Sequence, residues 1–137
     1  MNENIRNRFD VLIKKTYYIH KRYGVESTFA LLYHKEPLSI VELSKYIRIS
    51  DHIIQIDENH YFIIFQFISA EKAYKASQNI TYKLDNHFGS EEKCYMAIDK
   101  LDTTITSQNV LRRLKLIVEY AIKNRCVRVE TEEVLDR

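Results

Sequence analysis

Residues 48–67 read RISDHIIQIDENHYFIIFQF and decide the fold of this chain. The first apolar run, residues 53–56, is rich in isoleucine, and the second, residues 61–67, carries apolar side chains at nearly every position. Two β-prone runs joined by the short polar segment 57–60 are typical of a hairpin. Because both faces of the second run are apolar, we expect its strand to lie inside a sheet that is covered on both sides.

The segments before the hairpin predict a helix, a strand and a second helix. Residues 2–23 have apolar side chains at helical spacing, and Gly24 is placed to end that helix. Residues 27–34 predict a strand, and the capping box that begins at Ser39 predicts a helix over residues 39–47. The positions expected to face the core are Ile5, Phe9, Leu12, Ile13, Ile19 and Tyr23 in the first helix and Ile40, Val41, Leu43 and Ile47 in the second.

Four further elements are predicted after the hairpin, and then the chain becomes acidic. Ser69 is placed to cap a helix that Gly89 ends. The chain is acidic from Glu130 on, and this composition predicts a mobile tail. We place the boundaries of that tail at residues 131–137. The four predicted elements are a helix over residues 70–87, a strand over 93–101, a helix from 106 or 107 to 124, and a strand over 126–129.

The composition indicates one domain in a reducing compartment. The 137 residues are 45% hydrophobic, and a net charge of +2 argues against nucleic acid or an anionic membrane as the partner. The chain has only 2 Gly, which argues against a glycine-rich phosphate loop. No apolar run is as long as a membrane span, and the N-terminus has no apolar core of a signal peptide. Cys94 and Cys126 lack metal-ligand spacing, so we expect two core thiols in a cytoplasmic protein without a metal or other cofactor.

Arg48 and Asp51 form an RxxD pattern, and five residues later the segment 57–61 reads DENHY. This frame resembles the GGDEF domain of the diguanylate cyclases, in which RxxD precedes a hairpin tip with the pentapeptide G-G-D/E-E-F. The chain therefore looks like a degenerate GGDEF domain that has kept RxxD and lost the signature. The residues at the five signature positions are Asp57, Glu58, Asn59, His60 and Tyr61.

The order of the elements also resembles that family, because a helix is followed by βαββαβ and then by αβ. The resemblance implies an α/β (α+β) domain of ferredoxin-like type, the GGDEF palm. Its sheet would have five mostly antiparallel strands flanked by helices. We expect an N-terminal helix over residues 1–24, the GGDEF-like domain over 25–130 and the acidic tail over 131–137.

The resemblance implies that cyclase activity has been lost. In the family, an Asp at the end of the first strand and the acidic third signature residue hold a divalent cation; Lys35 and Asn59 stand nearest these positions here. Asp57 and Glu58 replace the paired glycines and would repel a triphosphate. The family's longer segment after the first strand, which contacts the nucleotide, is replaced by Pro37 and the capping box. We therefore expect no enzyme activity and no catalytic residues.

In the family, RxxD is the product-inhibition site for cyclic di-GMP. A guanidinium can bind a guanine edge or a phosphate with two hydrogen bonds, and a carboxylate can accept from guanine N–H groups. The resemblance thus implies a ligand site at Arg48 and Asp51, with Lys72 or Lys75 of the following helix as a further basic contact. A structural role, in which Arg48 and Asp51 pair with each other at a turn, stays open.

Two functions are compatible with these patterns. One is a catalytically inactive regulatory domain of bacterial signalling that binds cyclic di-GMP. The other is a protein–protein interaction or dimerisation module with no nucleotide ligand, acting through an exposed sheet edge or through the basic face of the first helix. That basic face is also explained by simple solvation.

Overall fold

The computed structural model describes residues 1–89 and 94–136. The strand predicted over residues 93–101 starts at Lys93, which lies outside the described residues, and so does Arg137 at the end of the predicted tail. The elements are α1 (Glu3–Tyr23), β1 (Thr28–His34), α2 (Ile40–Ser44), β2 (His52–Gln55), β3 (His60–Phe65), α3 (Ala70–Phe88), β4 (Cys94–Lys100), α4 (Ser107–Asn124), β5 (Val129–Thr131) and a C-terminal 3-10 helix (Glu132–Asp136).

The five strands form one mixed sheet in the order β2-β3-β1-β4-β5. The pairs β2–β3, β3–β1 and β1–β4 are antiparallel, and β4–β5 is parallel. The predicted hairpin and the mostly antiparallel five-stranded sheet are therefore confirmed. Strand β3 lies inside the sheet, and residues 61–65 are at most 2% exposed, so its expected burial on both faces is confirmed as well.

Helices cover both faces of the sheet. On one face, Phe9 and Ile13 of α1 pack with α4 against β1 and β3, and the rings of Phe9 and Phe62 are 4.7 Å apart in an edge-on arrangement. On the other face, Leu43 of α2 and Leu84 of α3 belong to a second buried cluster with residues of β1, β3 and β4. The two outer strands, β2 and β5, each have one strand neighbour within the described residues.

Helix α2 is shorter than predicted, and its first turn faces outward. It ends at Ser44 instead of 47, and a turn leads to β2. Leu43 is buried, but Ile40 and Val41, which we expected to face the core, are 38% and 72% exposed. A helix of one and a half turns has room for one inward side chain on this face, and Leu43 takes that position.

The C-terminal prediction was wrong in two respects. The last strand is Val129–Thr131 instead of 126–129, and residues 132–136 form a 3-10 helix instead of a mobile tail. Arg128 explains the shift, because its Nε donates to the Cys94 carbonyl at 2.7 Å and its own carbonyl accepts from Met96 N–H at 2.8 Å. These bonds place Val129 opposite Met96, and Val134 is then buried at 1% exposure.

Two other side chains differ from expectation. Cys94 is buried as expected, but Cys126 lies in the exposed connection between α4 and β5. Tyr23 is 67% exposed because it lies in the last turn of α1, beyond the part of the helix that packs on the sheet. Among the described helices, none has a stretch long and apolar enough to cross a membrane.

Candidate functional site

Arg48 and Asp51 lie in the turn between α2 and β2, beyond the end of the helix and just before the strand. The Asp51 carboxylate accepts from Arg48 Nη2 at 2.7 Å and from Arg48 Nε at 3.2 Å. It also accepts from the Gln66 N–H at 3.0 Å, while Arg48 Nη2 donates to the Gln66 carbonyl at 2.5 Å. The RxxD pair therefore fastens this turn to the end of β3, which is the base of the hairpin.

The two partners differ sharply in accessibility. The side chain of Asp51 is 1% exposed, whereas that of Arg48 is 48% exposed. Arg48 Nη1 makes no hydrogen bond within the described residues, so this nitrogen can donate to a ligand without breaking the pair. In this conformation a ligand would contact the guanidinium first, and Asp51 would hold that guanidinium in orientation.

A groove of about 270 Å³ lies next to the base of the hairpin, between the turn and α3. Asn79 and Lys83 of α3 line it, whereas neither Lys72 nor Lys75 does. Sequence reasoning missed Asn79 and Lys83, although both lie on the helix stripe that begins at residue 72 and repeats every three or four positions. The other lining residues are Tyr46, Ile47, Arg48, Asp51, Phe65, Ile68, Ala76 and Ile80.

The opposite end of the hairpin, residues 57–60, forms a tight polar tip against the end of β1. Asn59 Nδ2 donates to the carbonyls of His34 and Lys35 at 3.0 and 2.9 Å, and the Asn59 carbonyl accepts from His34 N–H at 3.0 Å. The side chain at the third signature position is thus an amide that acts as a donor to backbone carbonyls. This position contacts the end of β1, as the resemblance implies, but it presents N–H groups there.

The carboxylate of Asp57 is bound within its own turn. It accepts from the N–H groups of Asn59 and His60, both at 2.9 Å, and from His60 Nδ1 at 2.8 Å. Partial burial raises the pKa of Asp57, but these donors outweigh it, and the pKa lies below its ordinary value. Tyr61, at the last signature position, is fully buried, and its hydroxyl both donates to the Leu38 carbonyl and accepts from the Leu38 N–H.

Within residues 1–89 and 94–136, no group of three or more His, Cys, Asp or Glu side chains is arranged to hold a metal ion. One buried atom near the tip lacks a partner there: His34 Nε2, on a ring whose Nδ1 lies 2.6 Å from the Glu36 carbonyl. That ring packs against Phe88, with centroids 5.1 Å apart, in an otherwise apolar setting. The described tip therefore offers backbone-directed hydrogen bonds and no cluster of cation ligands.

Structural comparison places this fold among GGDEF domains, although no family model matches the sequence and no curated protein matches it. The GGDEF domain of DgcB from Caulobacter crescentus, in complex with c-di-GMP, is similar with a TM-score of 0.74 and 10% identity; 93% of this chain and 90% of that chain are covered. The active GGEEF domain of a diguanylate cyclase from Vibrio cholerae has a TM-score of 0.70 and 14% identity, with 92% and 95% covered.

A third similar structure is the diguanylate cyclase SiaD from Pseudomonas aeruginosa in complex with its activator SiaC. Its TM-score is 0.70 at 9% identity, and the match covers 87% of this chain and 55% of SiaD. At these identities the likeness concerns the fold. The chain has the fold of a GGDEF domain, as the arrangement of its motifs and elements predicted.

Proposed function

We propose that this chain is a non-catalytic signalling domain with the GGDEF fold, and that it works by binding. The observation that supports the proposal is the tip, where Asn59 donates its amide to the carbonyls of His34 and Lys35. Cyclisation of GTP requires carboxylate oxygens for a divalent cation at this place. An amide that already donates to two carbonyls cannot supply an anionic ligand there.

Incubation with GTP and Mg²⁺ or Mn²⁺, followed by chromatography of the nucleotides, tests the absence of catalysis. We expect GTP to be recovered unchanged. Asn59→Asp serves as a second sample, because it restores a carboxylate at the third signature position while Lys35 still stands opposite; we expect it to remain inactive too. Formation of cyclic di-GMP by the unmodified chain would refute the proposal.

The ligand that we propose is cyclic di-GMP, bound at the groove beside the base of the hairpin. Arg48 supports this choice because its guanidinium is half exposed, is held in place by Asp51 and keeps Nη1 available. A fork of this kind suits a phosphate or the O6 and N7 atoms of guanine. Lys83 and Asn79 on the opposite wall add one positive charge and one amide. The groove has room for part of cyclic di-GMP, and the rest of the dinucleotide would lie on the surface.

Calorimetric titration with cyclic di-GMP tests this site. We expect Arg48→Ala to weaken binding roughly 10- to 100-fold, because a hydrogen bond to a charged group contributes about 1.5–3 kcal/mol. Arg48→Lys should also bind weakly, since an ammonium cannot form the fork. The exposed Arg112 on α4 gives the control Arg112→Ala, which should bind normally.

A matched pair on α3 shows whether the dinucleotide enters the groove. Lys83→Ala should weaken binding, whereas Lys72→Ala, on the same helix but away from the groove, should not. Absence of heat with the unmodified chain, or equal affinity for Arg48→Ala, would remove cyclic di-GMP as the ligand. If Lys72 and Lys83 show the reverse order, the ligand binds at the place that the sequence resemblance implied.

A protein partner without a nucleotide is the second candidate, and one observation favours it. Ile49, next to Arg48 in the same turn, is fully exposed, and Val41 of α2 is 72% exposed. Exposed apolar side chains beside a fixed arginine are typical of protein interfaces. SiaD, which has a similar fold, is bound by an activator protein. Light scattering tests self-association: a concentration-dependent mass that Ile49→Asp abolishes would support a dimer through this surface, and a monomer at all concentrations would exclude it.

A further inference from the structure

A groove of about 450 Å³ lies along the outer edge of β2. The first turns of α1 bound it on the sheet face that α1 covers, and the first turn of α2 bounds it on the opposite face. We call it the β2-edge groove, and it shares no lining residue with the groove beside Arg48. Its apolar lining consists of Ile5, Ile40, Ile53 and Ile56.

Every second residue of β2 turns its backbone groups away from β3. At the end of the strand, the Ile56 N–H donates to the His60 carbonyl at 2.9 Å, so the even-numbered residues of β2 face β3. The N–H and C=O groups of Ile53 and Gln55 therefore point outward, because backbone groups alternate in direction along a strand. Within the described residues these four groups have no hydrogen-bond partner, and both residues are partly exposed. The edge can therefore pair with one more strand.

Isoleucines stand on both faces of this edge. Ile53 belongs to the face that α2 and α3 cover, where Ile40 of α2 is 38% exposed. Ile56 belongs to the opposite face, where Ile5 of α1 packs against the same cluster. An added strand would turn alternate side chains to these two faces, so aliphatic contacts are available to each set.

The wall of the groove on the α1 side is basic. Arg8 lines the groove, is exposed and forms no ion pair within the described residues. The other charged lining residue, Asp57, already accepts from three donors of its own turn. Carboxylates on a strand in the groove are therefore favoured on the side facing α1. The formal charge of α1 is 6 − 2 = +4, from the basic residues Arg6, Arg8, Lys14, Lys15, Lys21 and Arg22 and the acidic residues Glu3 and Asp10.

A second copy of the chain does not suit this edge. Antiparallel pairing of two β2 strands in one continuous sheet has its two-fold axis perpendicular to the sheet, so the two α1 helices would lie side by side on the same face. Each of these helices carries a formal charge of +4, and their repulsion opposes this arrangement. The edge therefore suits a segment that brings no basic helix with it.

We propose that the β2-edge groove binds an extended segment of a partner protein as an additional strand, with acidic side chains toward α1 and aliphatic side chains toward α2. Ile53 and Gln55 provide main-chain hydrogen bonds, and the isoleucines on both faces provide packing. Arg8 selects a carboxylate on the strand. Because this site and the groove beside Arg48 share no lining residue, the proposal holds whether or not Arg48 binds cyclic di-GMP.

Fluorescence anisotropy with two short labelled peptides tests the groove. One peptide alternates Glu and Val, and the other alternates Lys and Val; we expect the first to bind and the second not to bind. Arg8→Gln should weaken binding about two- to fivefold, as the loss of one exposed ion pair does. Arg22→Gln removes the same charge about 21 Å further along α1, beyond the Debye length of about 8 Å at physiological ionic strength, and should bind normally.

A matched pair on α2 tests the packing in the groove. Ile40→Ser should weaken binding roughly tenfold, because Ile40 lines the groove. Val41→Ser alters the adjacent residue, which is 72% exposed and does not line the groove, and it should bind normally. Both positions lie in the first turn of the same short helix, so a general effect on α2 would appear in both variants.

The main-chain bonds are tested with two N-methylated forms of the Glu–Val peptide, one methylated at every Val and the other at every Glu. Only one of these two sets of N–H groups can face β2, so one form should lose binding and the other should keep it. Amide chemical-shift mapping should place the largest shifts at Ile53 and Gln55.

Four results would each overturn the proposal. They are no binding of the Glu–Val peptide, equal binding of the Glu–Val and Lys–Val peptides, equal effects within either matched pair of variants, and equal affinity of the two N-methylated forms. Shifts at Ile53 and Gln55 that depend on protein concentration without any peptide would also overturn it, because a second copy of the chain would then occupy the edge.

Discussion

The tip and the base of the β2–β3 hairpin each contain a carboxylate surrounded by hydrogen-bond donors, but the donors come from different distances along the chain. At the tip, Asp57 accepts from Asn59 and His60, which lie within three residues. At the base, Asp51 accepts from Arg48 and also from the N–H of Gln66, 15 residues away. The tip is closed by its own turn, whereas the base joins two segments that are distant in sequence.

The two carboxylates also differ in exposure, and this difference matters for function. The side chain of Asp57 is 49% exposed and that of Asp51 is 1% exposed. A solvated carboxylate in a local turn can be exchanged at small cost, because water replaces its partners. A buried one cannot, because its donors lose their acceptor in a place that water does not reach. The tip can therefore change its chemistry while the fold persists, and the base cannot.

Removal of the buried carboxylate should have the largest effect. Asp51→Ala leaves Arg48 and the Gln66 N–H without their acceptor, and we expect it to lower the free energy of unfolding by about 2–4 kcal/mol. Urea denaturation followed by circular dichroism measures this change. Asp57→Ala is the matched variant at the tip, with an expected loss of about 1 kcal/mol or less. Equal losses would remove the distinction between the two ends.

Tyr61→Phe should have the second-largest effect on stability, because the Tyr61 hydroxyl joins the tip region to the segment before α2. Phenylalanine stands at this position in the GGDEF pattern, yet here the hydroxyl bonds both the N–H and the carbonyl of Leu38 in a buried place. We expect a loss of about 1–3 kcal/mol, since both backbone groups would be left unsatisfied.

Tyr33→Phe on the neighbouring strand is the control for Tyr61→Phe. The Tyr33 hydroxyl makes no hydrogen bond within the described residues, and Tyr33 lies opposite His60 in the sheet. Tyr33→Phe should therefore change the free energy of unfolding by close to zero. If Tyr61→Phe is equally neutral, the phenylalanine of the family pattern and the tyrosine of this chain are interchangeable, and the tip is less tied to the α2 segment than the geometry indicates.

The third change concerns Asn59, whose side chain spans the gap between the tip and β1. Asn59→Ala removes two donors to the carbonyls of His34 and Lys35, which are partly accessible, and we expect a loss of about 1 kcal/mol. Glu58→Ala is the adjacent control, since the Glu58 side chain makes no hydrogen bond within the described residues. A loss for Asn59→Ala no larger than that for Glu58→Ala would mean that the amide does not hold the tip against β1.

The sequence was informative wherever a periodic pattern and a local cap coincided. The hairpin, the interior position of β3 and the long helices follow from apolar periodicity and from caps such as Ser69, and the structure confirms them. The segment 57–60 was predicted correctly as the connection of the hairpin, and Arg48 and Asp51 lie together in one turn, although that turn begins after the end of α2. Each of these features depends on residues close together in the chain, which is why they can be inferred without coordinates.

The incorrect and missed predictions concern features that depend on contacts between residues distant in sequence. Arg128 moves the last strand through its bonds to Cys94, and Val134 is buried against helices far away in sequence, so neither effect has a local signal. The same holds for the groove beside Arg48, because the position of Lys83 depends on how α3 crosses the sheet. That Asp51 is buried and Arg48 half exposed also could not be predicted, since both residues are charged and lie three positions apart in the same turn.

The smallest expected effect is a pH dependence at the tip. Because the pKa of Asp57 is lowered in the folded state, its stabilising contribution is present above the unfolded pKa of about 3.9 and is lost as the pH falls toward the lower folded pKa. We expect this contribution to the free energy of unfolding to be less than about 1 kcal/mol, since the Asp57 side chain is half exposed. Urea denaturation at steps from neutral pH to the acid limit of folding measures it, and Asp57→Asn should flatten the curve in the acid range.

Glu58→Gln is the control for this pH series, because it removes a neighbouring carboxylate that makes no hydrogen bond within the described residues. We expect its curve to follow that of the unmodified chain with the acid slope retained. If Asp57→Asn keeps the full slope while Glu58→Gln loses it, the donors around Asp57 do not favour its charged form. The tip would then be an open loop, with no internal hydrogen bonding that distinguishes it from bulk solvent, and the contrast with the buried carboxylate at the base would be one of exposure alone.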